Sequence, residues 1–486
     1  MSAQAARLLV ESGDGDGALL YLALLERGGE SARAAAALRW GHMKIIIAGD
    51  GDTGTHLARQ LSYEDQDVVL LGTDAARLAD MDARYNILTQ EGEATSASAM
   101  KAAGVAGADL FVAVTPWGNT NLVSAQLAKS LGAGKTVARI DNPEFISDEM
   151  KSLFRNVGVD TLVYPEHFAA KEISTALEYS WLRYRYSLHD GQIIVAGVRI
   201  PEGAPVDGME LREFGKERHR FHVSAIRRGG ETIIPCGTDV IRARDTVWFT
   251  LAGGDERELI RLCGRSDSAI RKVMVAGAGK IARTLCRRLG NRFELTAVEP
   301  DRERCRKLME CCRDVNVVNA DYRNLDVLRD EKLQDMDAFV ALTDASETNI
   351  VSCLVARDFG VRKTVAEIED MQYLSEAERL DIDKVINKKL LTSSRIYQML
   401  LDSFLPTPRC LALEYAEVVE IVAGEGSKIV KAPVKDLKLP KGTTIGGMIR
   451  DGVGMLVGGE TRIRPGDHLV IFCLTGSLSK IEKFFV

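Results

Sequence analysis

Two short glycine clusters carry the clearest chemistry in the sequence. GDGDTG runs from Gly49 to Gly54 and GAGKIA from Gly277 to Ala282. Each follows an apolar run and precedes a stretch with helical patterning. Gly49 and Gly277 would permit a tight turn. Gly51 and Gly279 would let backbone approach a pyrophosphate, and the third place, Gly54 or Ala282, lets helix and strand pack closely. The amides that open the helix lie at Asp52 and Thr53 in the first loop and at Lys280 and Ile281 in the second. Such amides have no partner inside the helix and attract anions. The expected chemistry is capture of a nucleotide by its phosphates.

A dinucleotide site also needs an acid for the ribose hydroxyls, at the end of the next apolar run. FELTAVEPD supplies Glu299, 22 residues after Gly277. In the first copy DVVLLGTD places Gly72 there, with Asp74 two residues on, so the first site reads as having lost this acid. Asp74 is either a substitute or a helix N-cap. A third signal pairs Glu93 and Ala94 in EGEATS with Asp321 in NADYRN, where an adenine pocket is expected. Thr115 and Thr343 close the fourth apolar run of each copy.

These elements belong to a duplicated unit. Gly49 and Gly277 are 228 positions apart, as are Gly51 and Gly279, Thr115 and Thr343, and Asn121 and Asn349. Ala225–Phe249 in turn resembles Met448–Phe472, with a one-residue slip of register between Arg228 and Asp245. The chain therefore reads as a large α/β unit, a small β-rich unit, and then both again. Apolar runs alternating with helical stretches predict βαβ crossovers and a parallel sheet covered on both faces. Residues 1–42 stand outside the repeat, either as a native helical pair or as a dispensable extension; Gly41–Met43 reads as a cloning junction.

With 486 residues, three or four domains are expected. A net charge of −6 gives no electrostatic reason to expect nucleic acid, and no apolar run is long enough to cross a bilayer. The nine cysteines form no CxxC pair, which fits a reducing compartment, and the seven histidines form no HExxH, so metal catalysis has no support and no metal ligand is expected. His219 and His222 in ERHRFH read as part of a basic loop rather than as an acid–base pair.

Taken together, the strand–GxGxxG units, the VALTDASETN block, the RPGDHLVIF ending and the tandem order resemble the Trk potassium-uptake regulators, and more broadly the RCK family. The likeness runs from about Met43 to the C-terminus. It implies an α/β chain of two tandem Rossmann-like parallel-sheet domains (43–165 and 271–392), each followed by a small α+β subdomain (180–264 and 405–486). It also implies a non-enzymatic cytoplasmic regulator, peripheral at the inner face of the membrane, that binds NAD(H) and ATP or ADP. The expected partners are a Trk-type potassium channel membrane subunit and further copies of the chain, with a tetramer as the family expectation. Matching the family pattern residue by residue, Glu347 takes the place of an acid before Thr-Asn, where the first copy has Asn119. Arg139 matches an arginine that meets phosphates, where the second copy has Glu367. The two pockets are thus expected to differ. Dinucleotide should favour the second and a phosphate-rich ligand such as ATP the first, unless one pocket is vestigial. An NAD-dependent oxidoreductase is the alternative, but the small units offer no acid–base constellation for it.

Overall fold

The computed structural model describes residues 43–486 apart from 64–65, 215–220, 254–255, 267, 381, 405–410, 414–415, 475–476, 478–479, 482 and 486. The expectations for residues 1–42 and for His219 lie outside the described residues.

The first large domain alternates strictly. It runs β1 (Lys44–Ala48), α1 (Asp52–Leu61), β2 (Asp67–Gly72), α2 (Ala75–Arg84), β3 (Leu88–Glu91), α3 (Ala97–Ala102), β4 (Leu110–Ala113), α4 (Gly118–Ser130), β5 (Lys135–Arg139), α5 (Asp148–Asn156), β6 (Thr161–Val163) and α6 (Pro165–Glu178). A small domain follows, with β7 (Tyr184–Leu188), β8 (Ile193–Arg199), α7 (Leu211–Phe214), β9 (Phe221–Arg228), β10 (Glu231–Ile233), β11 (Thr246–Ala252) and α8 (Arg257–Leu262). The second large domain has β12 (Lys272–Ala276), α9 (Lys280–Leu289), β13 (Glu294–Val298), α10 (Arg302–Cys311), β14 (Val315–Val318), α11 (Leu325–Asp330), β15 (Ala338–Ala341), α12 (Ser346–Asp358), β16 (Lys363–Glu367), α13 (Met371–Arg379), β17 (Lys384–Ile386) and α14 (Lys388–Phe404). The second small domain has β18 (Leu411–Leu413), β19 (Ala416–Val422), β20 (Thr443–Arg450), β21 (Val453–Leu456) and β22 (His468–Leu474).

Both large sheets are parallel, in the orders β3-β2-β1-β4-β5-β6 and β14-β13-β12-β15-β16-β17. Ile45, Ile46, Ile47 and Ala48 are all fully buried, although they point alternately to opposite faces, so helices cover both sides of the sheet. The strand order reverses between β1 and β4, and again between β12 and β15. A crevice opens at the carboxyl ends of the strands at such a point, and both glycine loops sit there.

Like domains pair with like. Residues 42–185 and 265–397 form one compact unit, and 186–264 and 398–486 another. In the first unit each half lends its last helix to the other. Ala169, Ala170, Ile173 and Leu177, one apolar stripe of α6, join the core of Val273, Val275, Ile281 and Leu285 in the second half. Reciprocally, α14 lies on α1, where His56 Nδ1 meets Ser393 Oγ at 2.7 Å. Burial and nearby Arg59 depress the His56 imidazole to about 4, so it is neutral there. Buried Lys363 fastens the linker by donating to the carbonyls of Ser180 and Leu182.

The small sheets are antiparallel and share one topology, β10-β9-β11-β8-β7 and β21-β20-β22-β19-β18. Each bulges at one residue of its central hairpin, Ser224 or Gly446. Each carries a bidentate ion pair across 17 residues, Arg228–Asp245 and Arg450–Asp467. These pairs fix the equivalence of the two sheets at an offset of 222, which resolves the slip read in the sequence. Two equivalent side chains touch at that spacing, His222 Nε2 and Thr444 Oγ1, 3.3 Å apart.

Candidate functional site

The glycines of each loop have distinct tasks. Gly49 has φ +125° and Gly277 φ +102°, and a Cβ on either would lie 2.8 or 2.5 Å from backbone atoms of the fourth strand's end. Only glycine fits there. A Cβ built at Gly54 would lie 1.8 Å from the Gly49 carbonyl oxygen, whereas Ala282 is accommodated in the second copy. Gly51 and Gly279 differ from these. A Cβ at Gly51 meets nothing within 4 Å, and one at Gly279 only the Leu342 carbonyl oxygen at 4.0 Å. Both glycines are N-caps, and neither α1 nor α9 receives a side-chain cap. Each loop thus presents an open face and uncapped helix amides, which is an anion site by geometry and dipole. Thr53 and Ile281 turn their side chains into the core, so only their amides face the loop. Asp52 and Lys280, the first residue of each helix, reach across to the other half. Asp52 Oδ2 accepts from Lys389 Nζ at 2.8 Å, and Lys280 Nζ donates to the Asp141 carbonyl oxygen at 3.0 Å. Burial would raise the Asp52 carboxyl, but Lys389 and Arg77 outweigh it and hold it below its ordinary value.

The end of β2 carries no acid, as read from the sequence, but the first loop brings a carboxylate of its own beside it. The carboxylate has moved from the strand to the loop. Asp50 Oδ2 accepts from the amides of Thr73 and Asp74 at 2.7 and 2.6 Å, and fills the space a Gly72 side chain would take, 2.3 Å from where its Cβ would be. In the second copy Ala278 stands in the loop, and Glu299 reaches back from the strand to accept from the amides of Ala278 and Asp301 at 2.7 and 3.0 Å. Glu299 is only 2% exposed, with both oxygens engaged, whereas Asp50 is half-buried at the crevice. Asp50 was missed because the strand end was searched alone. The signal was present in the alignment of the two copies, which pairs Asp50 with Ala278 at an offset of 228 and Gly72 with Glu299 at 227.

The remaining residues fall into two groups. Some brace the loops. Thr115 and Thr343 each accept an identical clamp, in which the Asn121 or Asn349 Oδ1 takes the threonine amide at 2.9 Å and its hydroxyl at 2.7 Å. The asparagine Nδ2 donates to that threonine's carbonyl and to the Arg139 or Glu367 carbonyl. These buried threonine hydroxyls are therefore engaged internally. Asp74 caps α2 by accepting from the Arg77 amide, as Asp301 caps α10. Ala94 is buried. Others stand at or just beyond the carboxyl ends of the strands. Glu93 is exposed, Arg139 half-buried, and Glu347 exposed beside Tyr373, whose hydroxyl it bonds and pushes above the ordinary tyrosine value. Asp321 is bound by the Arg323 guanidinium and amide, which lower its carboxyl. Glu367 is 6% exposed, with Lys388 Nζ 3.6 Å away, and burial pushes its carboxyl up to about 7.

This architecture has known relatives. Residues 45–165 and 273–388 match the TrkA-N domain, and 195–264 and 418–486 match the TrkA-C domain. The chain belongs to the TrkA family. It is similar to the Trk system potassium uptake protein TrkA of Vibrio alginolyticus, at 30% identity over 454 residues, covering 91% of this chain and 98% of the relative. TrkA homolog 1 of Methanosarcina mazei is 29% identical, with 91% and 100% covered. Among solved structures the fold resembles the GsuK channel bound to NAD, with a TM-score of 0.57 at 16% identity over 98% of this chain and 88% of that one. Among the described residues of this TrkA-family chain, no helix is long and apolar enough to cross a membrane.

Proposed function

We propose that this TrkA-family chain is a nucleotide-responsive regulator of potassium uptake, acting from the cytoplasmic face on a Trk-type potassium channel subunit. The observation that carries it is the pair of glycine-loop helix N-termini at the two switch points. Each is open, uncapped and bonded through its first helical residue to the opposite half. Adenine nucleotides fit this arrangement. Phosphates meet the amides of α1 or α9, and the ribose meets a carboxylate. The relatives' potassium-uptake name and the NAD held by the GsuK channel support the reading. No acid–base pair is needed, because the nucleotide is bound and released unchanged.

The pockets are unequal. The first holds a half-buried carboxylate, Asp50, together with Arg139, so it is the tighter one for NAD(H) and for ATP or ADP. The second has its acid buried at Glu299 and a further one at Glu367, where a phosphate-facing arginine would help, so it is weaker. A tenfold difference in affinity between two conformations yields ~1.4 kcal/mol per site, and a tetrameric assembly multiplies it. Titrating NADH and ATP into the intact chain by calorimetry tests this. Two binding phases of unequal affinity are expected, with no turnover of NADH in the presence of a broad metabolite panel. Steady NADH oxidation, or no binding by either nucleotide at millimolar concentration, would overturn it.

A further inference from the structure

The second compact unit brings together three side chains that the sequence keeps far apart. His189 follows β7 in the first small domain, at φ +46°, a left-handed conformation unusual for a residue with a Cβ. Glu420 lies within β19 and His468 opens β22, both in the second small domain. Glu420 Oε1 sits between the two imidazoles, bonded to His189 Nε2 and, at 2.8 Å, to His468 Nδ1. The rings are nearly perpendicular, with centroids 5.1 Å apart. One donor atom from each residue falls within 4.8 Å of the others. The Glu420 side chain is 3% exposed, and its Oε2 is buried with no hydrogen-bond partner among the described residues.

A carboxylate buried in a sheet is costly unless its charge is answered, and an orphaned oxygen adds to that cost. The fold itself does not require the acid. Glu420 stands opposite Val470 in its ladder, and the matching place opposite Trp248 in the first small sheet is Gly197. His468 is likewise matched by Thr246, since Val422 pairs with one as Arg199 pairs with the other. The cluster is therefore particular to one copy and is completed by a histidine from the other.

We infer that His189, Glu420 and His468 form a binding site for a zinc-class divalent ion that joins the two small domains. Two imidazoles and a carboxylate are the donors such ions prefer, with metal–ligand distances of about 2.0–2.2 Å, and ligand atoms around one centre then lie within about 4.2 Å of each other. A modest rearrangement that parts Glu420 Oε1 from the two imidazoles while holding all three donors within that span achieves this, and leaves Glu420 Oε2 free to share the ion. Magnesium and calcium demand six or more oxygens and are not expected to compete. Because the ligands come from both domains, the ion would cross-brace them, raising the stability of the pair by mass action.

The test uses the untagged full chain, stripped with chelator and dialysed. Zinc chloride titrated against a chromogenic chelator should show a site with Kd in the micromolar range or below, and raise the melting temperature, while magnesium and calcium do neither. X-ray absorption should report two imidazoles with oxygen and no sulfur. His189→Gln, Glu420→Gln and His468→Gln, each checked for a wild-type circular dichroism spectrum, should each weaken zinc at least a hundredfold. If the Glu420 variant misfolds, the half-exposed His189 position still decides the matter. Unchanged zinc affinity in the His189 and His468 variants, sulfur in the first shell, or no binding at 100 micromolar zinc would overturn the assignment.

Discussion

Replacing Gly51 by aspartate asks the site a question that the fold itself should not feel. Gly51 has φ −70° and no atom within 4 Å of an added Cβ, so a side chain enters open space without strain. It is also the N-cap of α1, where aspartate outperforms glycine by a few tenths of a kcal/mol. The melting temperature should therefore hold or rise slightly. The new carboxylate would cap the amides that a phosphate needs, and would stand about 5 Å from it. At an effective dielectric near 20, two unit charges at that distance repel by about 3 kcal/mol, roughly two hundredfold in Kd. The same change at Gly279 meets only the Leu342 carbonyl oxygen at 4.0 Å and should behave alike at the second loop. Calorimetric titration with NADH and with ATP should lose the tighter phase in Gly51→Asp and the weaker phase in Gly279→Asp. Gly51→Ala separates bulk from charge, because it should cost far less than the aspartate. Two folded aspartate variants that both bind like wild type would refute the reasoning, since no nucleotide seated on these amides could ignore the charge.

The relocated acid predicts a double-mutant cycle. Gly72→Glu alone should destabilise, since its Cβ would fall 2.3 Å from Asp50 Oδ2, whereas Asp50→Ala with Gly72→Glu recreates the Ala278–Glu299 pair and should recover stability and nucleotide affinity, both read by thermal shift. The Glu367 carboxyl, raised from 4.5 to about 7, binds its proton more tightly folded than unfolded, so it costs nothing below pH 4.5 and progressively more as pH climbs to 7. Glu367→Gln should thus match wild type near pH 4 and exceed it by roughly 1–3 kcal/mol at pH 8, measured by denaturant melts at both. Asn349→Ala removes a clamp that satisfies the buried Thr343 amide and two carbonyls, and should cost about 2–4 kcal/mol and slacken the second loop, seen as faster amide exchange at Thr343.

The repeat and the parallel, doubly covered sheets were readable because periodicity and landmark spacing report on burial. KIIIA and its counterparts could be continuous apolar runs only if both faces were covered, and both are. The glycines were readable for a similar reason, since backbone geometry restricts them to few residue types. What stayed hidden depended on contacts between distant segments. The loop motif gives Asp50 no task, and only the fold brings its carboxylate onto the Thr73 and Asp74 amides. Thr115 and Thr343 marked the right place for a reason the motif did not disclose, because the asparagine six residues on consumes their hydroxyls. His189 and Glu420 are 231 positions apart, so no spacing rule reaches them. The pairing of α6 with the other half's loop helix was equally out of reach. Its apolar stripe announces a partner without naming it.

That exchange of helices also limits how the two loops can communicate. A phosphate arriving at α1 would meet Asp52 and draw on its partner Lys389; at α9 it would draw Lys280 from Asp141. Each ligand therefore competes with a bond that ties one Rossmann fold to the other, so occupancy and the fit of the two halves are thermodynamically linked. The size of the link is bounded, however. Lys389 and Asp52 are about a third exposed and Lys280 nearly half, and such ion pairs are worth about 0–1 kcal/mol. Coupling through either contact is then at most roughly fivefold. That is the lower end of ordinary allosteric coupling, and under the proposed function several chains acting together would add such terms.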